Sequence, residues 1–296
     1  MNTIWELDFY SRPLIDENKK KKWELLICES PQKIEREPDS LFKYAQECPS
    51  NTVNSLWLRE TLAKAIAAAP SSPKKIRFFR RQMNNMITKA CEELDIPAVP
   101  SRHTYALNQW LEERLRDFYP DQPGYDRGAA NSASVQYPAS NAVPLPDAVR
   151  GDKGDKWAFV TLETAAFTEM NEWDIAFGEA FPLSMISPSA QVTPPFQKES
   201  IPGVIIFSSR ALPLAGWMSG LELGFLEFED GKFPRIRLET GVSDSWILAN
   251  ITDPKTLAEA RGFARAKKEA QQVHFLAIQA NPEAESFAGF WLLLGG

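Results

Sequence analysis

Apolar and polar residues alternate along Ile4–Tyr10, with Trp5, Leu7 and Phe9 on one side and Glu6, Asp8 and Tyr10 on the other. A period of two predicts a half-buried strand. Trp23, Leu25 and Ile27 repeat the pattern, so residues 23–28 read as a second strand. The polar stretch from Pro13 to Lys22 closes the pair as a long-looped hairpin. The period then changes: Leu56, Leu58, Leu62, Ala65 and Ile66 recur at helical spacing over residues 55–69. Asn54 or Ser55 supplies the N-cap, and Pro70 and Pro73 stop the helix. A short strand at Ile76–Arg80, a helix at Met83–Leu94 and an extended piece at Ala98–Pro100 follow. Tyr105–Tyr119 is a further helix, striped by Leu107, Trp110, Leu111 and Leu115. The order ββαβα(β)α predicts an α/β domain with some antiparallel sheet.

Residues 121–156 are rich in Pro, Gly, Ala, Ser and Asn and lose this periodicity. They read as a linker between an N-terminal α/β domain, 1–120, and a C-terminal one, 157–296. In the latter, Trp157–Leu162 and Val204–Phe207 are strand-like, and Asp230-Gly231 joins a hairpin of Leu221–Glu229 and Arg235–Glu239. Asp253-Pro254 opens a helix that runs to about Gln272, and Val273–Gln279 and Phe287–Leu294 close the domain as strands. The fold class is mixed α/β with mixed sheets. Trp5–Phe9 faintly echoes Leu221–Phe225, which fits either two related units or shared strand composition.

Composition adds a constraint on partners. The 296 residues carry a net charge of −6, unsuited to coating nucleic acid by bulk charge. The charge is uneven: residues 1–120 hold 19 Lys/Arg against 17 Asp/Glu, and residues 121–296 hold 14 against 22. Phosphate contacts therefore belong to the first part. Cys28, Cys48 and Cys91 are scattered, without metal-ligand spacing, and fit a reducing compartment. The opening Met1–Glu6 has no apolar signal core, and the longest apolar run, Phe287–Leu294, is too short to cross a bilayer. The expectation is a cytoplasmic protein without an integral membrane segment.

No phosphate loop, dinucleotide turn, HExxH or CxxC pair occurs, so neither cofactor nor resident metal is expected. His103 and His274 have no neighbouring nucleophile signature and read as surface or core histidines. The best enzymatic reading is a metal-dependent nuclease, with Glu6, Asp8 and Glu24 holding Mg²⁺ beside Lys22. Alternating charge on an exposed strand face, paired with Lys22 or Arg12, explains the same residues. The strongest binding signal is Lys74-Lys75-Ile76-Arg77-Phe78-Phe79-Arg80-Arg81, with five cations and no acid. Such a run suits single-stranded nucleic acid, since cations meet phosphate and aromatic rings stack on bases; it equally suits a solvated edge strand. As a site, Lys74, Lys75, Arg77, Arg80 and Arg81 would meet phosphate, Phe79 or Tyr105 would stack, and Arg102 would extend the surface. Lys19–Lys22 is a second basic run, and Leu212–Leu221 is either core or a patch for a protein partner.

Trp5-Glu6-Leu7-Asp8-Phe9-Tyr10-Ser11-Arg12-Pro13 and Lys22–Cys28 resemble the N-terminal signature of the Tab2/Atab2 family. Trp173–Glu179 and Phe287–Leu294 are similar to its later signatures. Without the long N-terminal extension of chloroplast members, the chain resembles the cyanobacterial form. The resemblance implies a non-enzymatic protein that binds A/U-rich single-stranded RNA and supports translation of photosystem messages, chiefly those of photosystem I. Ribosomes or translation factors are the further partners it implies. Alternatives are the nuclease and a scaffold for photosystem assembly.

Overall fold

A computed structural model describes residues 3–130, 141–151, 154–186 and 199–295. The chain divides into two compact units, Met1–Pro31 with Glu37–Tyr137, and Gln32–Arg36 with Pro138–Gly296.

The first unit is built on a five-stranded mixed sheet. Its strands are β1 (Ile4–Ile15), β2 (Lys21–Glu29), β3 (Lys43–Cys48), β4 (Lys75–Phe78) and β5 (Ala98–Pro100), in the spatial order β3-β2-β1-β4-β5. The first three form an antiparallel meander, and β4 and β5 join parallel to β1 through crossover helices α1 (Ser55–Ala68) and α2 (Asn84–Glu92). Asn54 caps α1, its side chain accepting the Trp57 N–H at 2.9 Å. Trp5, Leu7, Phe9, Leu25, Ile27, Ile76 and Phe78 meet Leu58, Leu62, Ile87 and Cys91 of the helices in one core. Each large side chain so buried contributes about 1.5–3 kcal/mol.

The other face of β1 is also covered. α3 (Tyr105–Glu113) continues as a π turn over Arg114–Phe118, and a helical turn, α4 (Arg127–Ala130), packs on β1. β1 is therefore not the half-buried strand that its alternation predicts: Glu6 and Asp8 are as fully buried as Trp5 and Leu7. The meander strand Lys43–Cys48 was not legible, because Lys-Tyr-Ala-Gln-Glu-Cys lies at the sheet edge with little apolar face.

The second unit has two sheets. One, of order β7-β9-β13-β14-β8, contains β7 (Lys156–Glu163), β8 (Ile175–Glu179), β9 (Ser200–Phe207), β13 (Val273–Gln279) and β14 (Phe287–Leu294). The other, β10-β11-β12-β6, contains β6 (Val143–Pro144), β10 (Leu223–Glu229), β11 (Arg235–Thr240) and β12 (Asp244–Asn250). Helices α5 (Ala211–Ser219) and α6 (Pro254–Glu269) complete the unit. Its main core joins Val204, Leu276, Leu293, Leu226, Ile236, Leu214, Met218 and Phe263. A second layer of rings, Phe167, Trp173, Phe275 and Phe290, lines the same sheet, with Phe275 stacked on Phe290 at 5.2 Å.

Much of the stretch read as a linker is structured. Gly124 C=O accepts the Ile15 N–H and Asp126 N–H donates to Pro13 C=O, while Leu145 and Val149 enter the core of the second unit. Residues 131–140 and 152–153 of that stretch lie outside the described residues. The Trp5–Phe9 echo is one of strand composition, since β1 is central in its sheet and β10 is terminal in its own. Among the described residues no helix is long and apolar enough to cross a membrane.

Candidate nucleic-acid interface

The polar residues of β1 and β2 converge beneath α3. Arg12 donates from Nη1 to Asp8 at 2.7 Å and from Nε to Glu24 at 3.1 Å. Arg80, just past the end of β4, meets Asp8 from the other side at 2.5 Å. Glu24 also receives the guanidinium of Arg114 and the hydroxyl of Tyr119. Glu6 accepts the Leu107 N–H at 2.7 Å, so a strand carboxylate caps the first turn of α3, where Thr104 makes no side-chain cap. Carboxylates suit that position because they meet unpaired amides and the positive end of the helix.

The electrostatics follow from this geometry. Burial pushes the Asp8 carboxyl up, but Arg12 and Arg80 outweigh it and hold the pKa below the ordinary value. Burial and the neighbouring Glu24 push the Tyr119 phenol up to about 12. The Cys28 thiol lies well above its usual range through burial, then through Glu6. None of these groups is poised for proton transfer near neutrality.

The nuclease reading needs Glu6, Asp8 and Glu24 to share a cation. Instead Asp8 and Glu24 share Arg12 and also meet Arg80, Arg114 and Tyr119, while Glu6 turns to a backbone amide. Among the described residues no group of three His, Cys, Asp or Glu side chains could hold a metal ion.

The basic run is reassigned in part. Arg77, Phe79, Arg80 and Tyr105 are buried and so are not presented as RNA contacts. The reason is tertiary: Arg77 lies beside Glu6 on β4, an interior strand between β1 and β5, and Arg80, beyond the end of β4, is drawn onto Asp8. Arg77 donates to Ser30 Oγ at 3.3 Å, Arg80 lies 4.0 Å over the Tyr10 ring, and Tyr105 stacks on His103 at 4.3 Å. Lys74 and Arg81 are exposed, and Lys75 and Arg102 are half-buried.

Sequence reasoning missed a second cluster. Trp110 has Lys43 Nζ 5.7 Å and the Arg114 guanidinium 5.5 Å from its ring, and Phe118 has Arg114 at 4.0 Å. The four-residue spacing of Trp110, Arg114 and Phe118 was the available signal. Lys43 was not, because it comes from a distant strand. The apolar stretch at Leu212–Leu221 divides: Leu214, Ala215 and Met218 are core, Trp217 packs edge-on against Trp246, and Leu212 is exposed.

This is a two-unit α/β protein whose central carboxylates are structural ion-pair partners. Its family is now identifiable: the description "RNA-binding protein Tab2/Atab2" matches twice, the N-terminal domain over residues 4–114 and the C-terminal domain over residues 132–294. The chain belongs to this RNA-binding family. It is 38% identical over 297 residues to the chloroplastic TAB2 homolog of Zea mays, covering 98% of this chain and 71% of that protein. The Arabidopsis thaliana chloroplastic TAB2 homolog is 36% identical over 295 residues, covering 98% and 74%. Among solved structures, the HTLV-2 integrase catalytic core with magnesium aligns with 44% of this chain and 79% of that one, at 15% identity. Its TM-score of 0.27 carries no argument about chemistry.

Proposed function

We propose that this protein binds single-stranded, A/U-rich RNA without cleaving it, and that it does so in the cytoplasm to support translation of photosystem messages, chiefly those of photosystem I. The observation that supports binding over cleavage is the occupation of Asp8 and Glu24 by Arg12, Arg80 and Arg114. A carboxylate already neutralised by buried guanidinium groups has little charge left to attract Mg²⁺. Family membership makes RNA the ligand class. Lys74, Lys75 and Arg81 of the basic run, with Arg102 beyond it, reach the surface and supply phosphate contacts.

The test is to incubate the protein with an end-labelled A/U-rich strand, with and without Mg²⁺ or Mn²⁺, and follow anisotropy and strand length together. Saturable binding with the strand intact is expected. Metal-dependent shortening that a Glu24→Gln protein lacks would restore the nuclease reading. Absence of binding at low salt would remove RNA as a direct ligand.

A further inference from the structure

The flank of α3 beside β2 and β3, where Trp110 is half-buried and Phe118 exposed, carries an alternation that the basic run was expected to provide. Trp110, Arg114 and Phe118 stand four residues apart, on one stripe of the helix and its π turn. The inner side of the same segment is anchored: Leu107 is buried, its amide bonded to Glu6, and Tyr119 is buried against Glu24. The stripe is therefore held on a rigid base. The π turn divides two adjacent rings, sending Tyr119 inward and leaving Phe118 41% exposed, with the rings edge-to-face at 5.5 Å. π turns within helices often mark functional positions.

Arg114 is locked between the rings. Its Nε donates to Tyr119 Oη at 3.2 Å and its charge is met by Glu24. It stiffens the aromatic pair and adds little net charge. Free cations lie towards either end of the β2 face below. Lys43 is exposed beside Trp110 and opposite Cys28 in the β2–β3 register. Cys28, Leu26, Glu24 and Lys22 follow one another along that face. The β1–β2 turn then presents Lys19, Lys20 and Lys21 to solvent. That turn is ordered, not a loose loop: Asp16 Oδ1 accepts the Asn18 and Lys20 amides at 2.9 and 2.8 Å. From Cys28 to Lys22 is about 20 Å at the usual rise of a strand. Three nearby acids are engaged, Glu113 with Gln109, Asp117 with Arg116, and Glu47 with Lys22 at 3.8 Å, while Glu17 and Glu112 face solvent.

We propose that this flank of α3 is the stacking surface for unpaired RNA bases, with Trp110 and Phe118 as platforms and Lys43 and Lys19–Lys21 as phosphate contacts at its two ends. The assignment rests on the RNA-binding reading and gives it a place. It also answers the acidity of the chain. Stacking needs a π face rather than net positive charge, and each base–aromatic stack carries a large share of affinity.

The decisive measurement is anisotropy of a labelled A/U-rich strand over a salt series, using full-length protein. Trp110→Ala with Phe118→Ala should weaken binding by about 30-fold or more with the salt slope unchanged. Trp110→Phe should retain affinity within a few-fold. Lys20→Gln, Lys21→Gln and Lys43→Gln together should flatten the slope by about 2, from roughly 0.7 per lost phosphate contact. Should the alanine variant fail to fold by near-ultraviolet circular dichroism, photocrosslinking of a 4-thiouridine strand to wild-type protein decides the matter. Crosslinks in the peptide holding Trp110 and Phe118 support the site, and crosslinks confined elsewhere overturn it. Wild-type binding with the folded aromatic variant within twofold overturns this site and leaves the RNA reading standing. No wild-type binding at low salt overturns both.

Discussion

At the scale of single residues, the clearest contrast is between neighbours. Arg80 and Arg81 are chemically identical and adjacent, yet Arg80 is 5% exposed in an ion pair with Asp8 while Arg81 faces water. Removing Arg80 strips Asp8 of one of its two guanidinium partners while Arg12 stays, at a cost of about 1–3 kcal/mol. Arg80→Ala should therefore shift the urea midpoint strongly, while Arg81→Ala leaves it in place. Equal, small shifts in both variants would refute the buried network. A loss of RNA binding in Arg80→Ala has to be read beside that unfolding curve, because the guanidinium holds the sheet together. Charge, aromatic neighbours and spacing were all legible in Lys74–Arg81, but the side on which each residue lies was not.

At the scale of elements, α3 owes its position to β1. The Glu6 carboxylate fills the role that an N-cap side chain plays in α1, but from 101 residues away. Glu6→Ala would leave the Leu107 amide buried without its acceptor, costing about 1–3 kcal/mol. The expected signature is faster hydrogen exchange over Tyr105–Glu113, with Glu6→Gln largely preserving protection because its carbonyl still accepts. Unchanged exchange in Glu6→Ala would show that the cap contributes nothing. β10 has a comparable dependence in the second unit. Its Leu226 amide donates to His274 Nε2 at 2.8 Å, and its carbonyl accepts from Lys267 Nζ at 2.6 Å. Leu226 stands opposite Leu238 of β11, and two side chains satisfy its amide and carbonyl on this terminal strand of the sheet.

At the scale of the whole molecule, these two buried systems set different acid limits. His274 Nε2 accepts a hydrogen bond, so Nδ1 carries the proton and faces Gln272 C=O at 2.8 Å. Burial, then Lys267, holds its pKa well below 6.5. The folded unit refuses a proton that the unfolded chain accepts, so stability is full above pH 6.5 and declines below it. The slope is about 1.4 kcal/mol per pH unit until the folded pKa is reached. Asp8 acts in a lower window: its contribution is present above pH 3.8 and is lost as pH falls through its depressed folded value. Urea unfolding between about pH 7 and pH 5 should show a falling midpoint that His274→Gln abolishes. A flat wild-type profile over that range would remove His274 as the source.

The periodicities by themselves determined the mixed α/β class and most elements. Strand Val273–Gln279 and strand Phe287–Leu294 stand where the pattern puts them, as does α1 with its Asn54 cap. They did so because local hydrogen-bond geometry imposes periods of two and 3.6 on any segment that buries one side. Only the tertiary structure decided which polar side chains are buried. Glu6 and Asp8 look like the solvent side of a strand until α3 covers them, and Arg77 and Arg80 look like an exposed cationic edge until β5 flanks Arg77 and Asp8 draws Arg80 inward. The pairing of Lys43 with Trp110 is likewise a product of chain crossing rather than spacing. A charge is tolerated inside wherever long-range packing supplies its opposite, and that partner is chosen by topology, which no local pattern records.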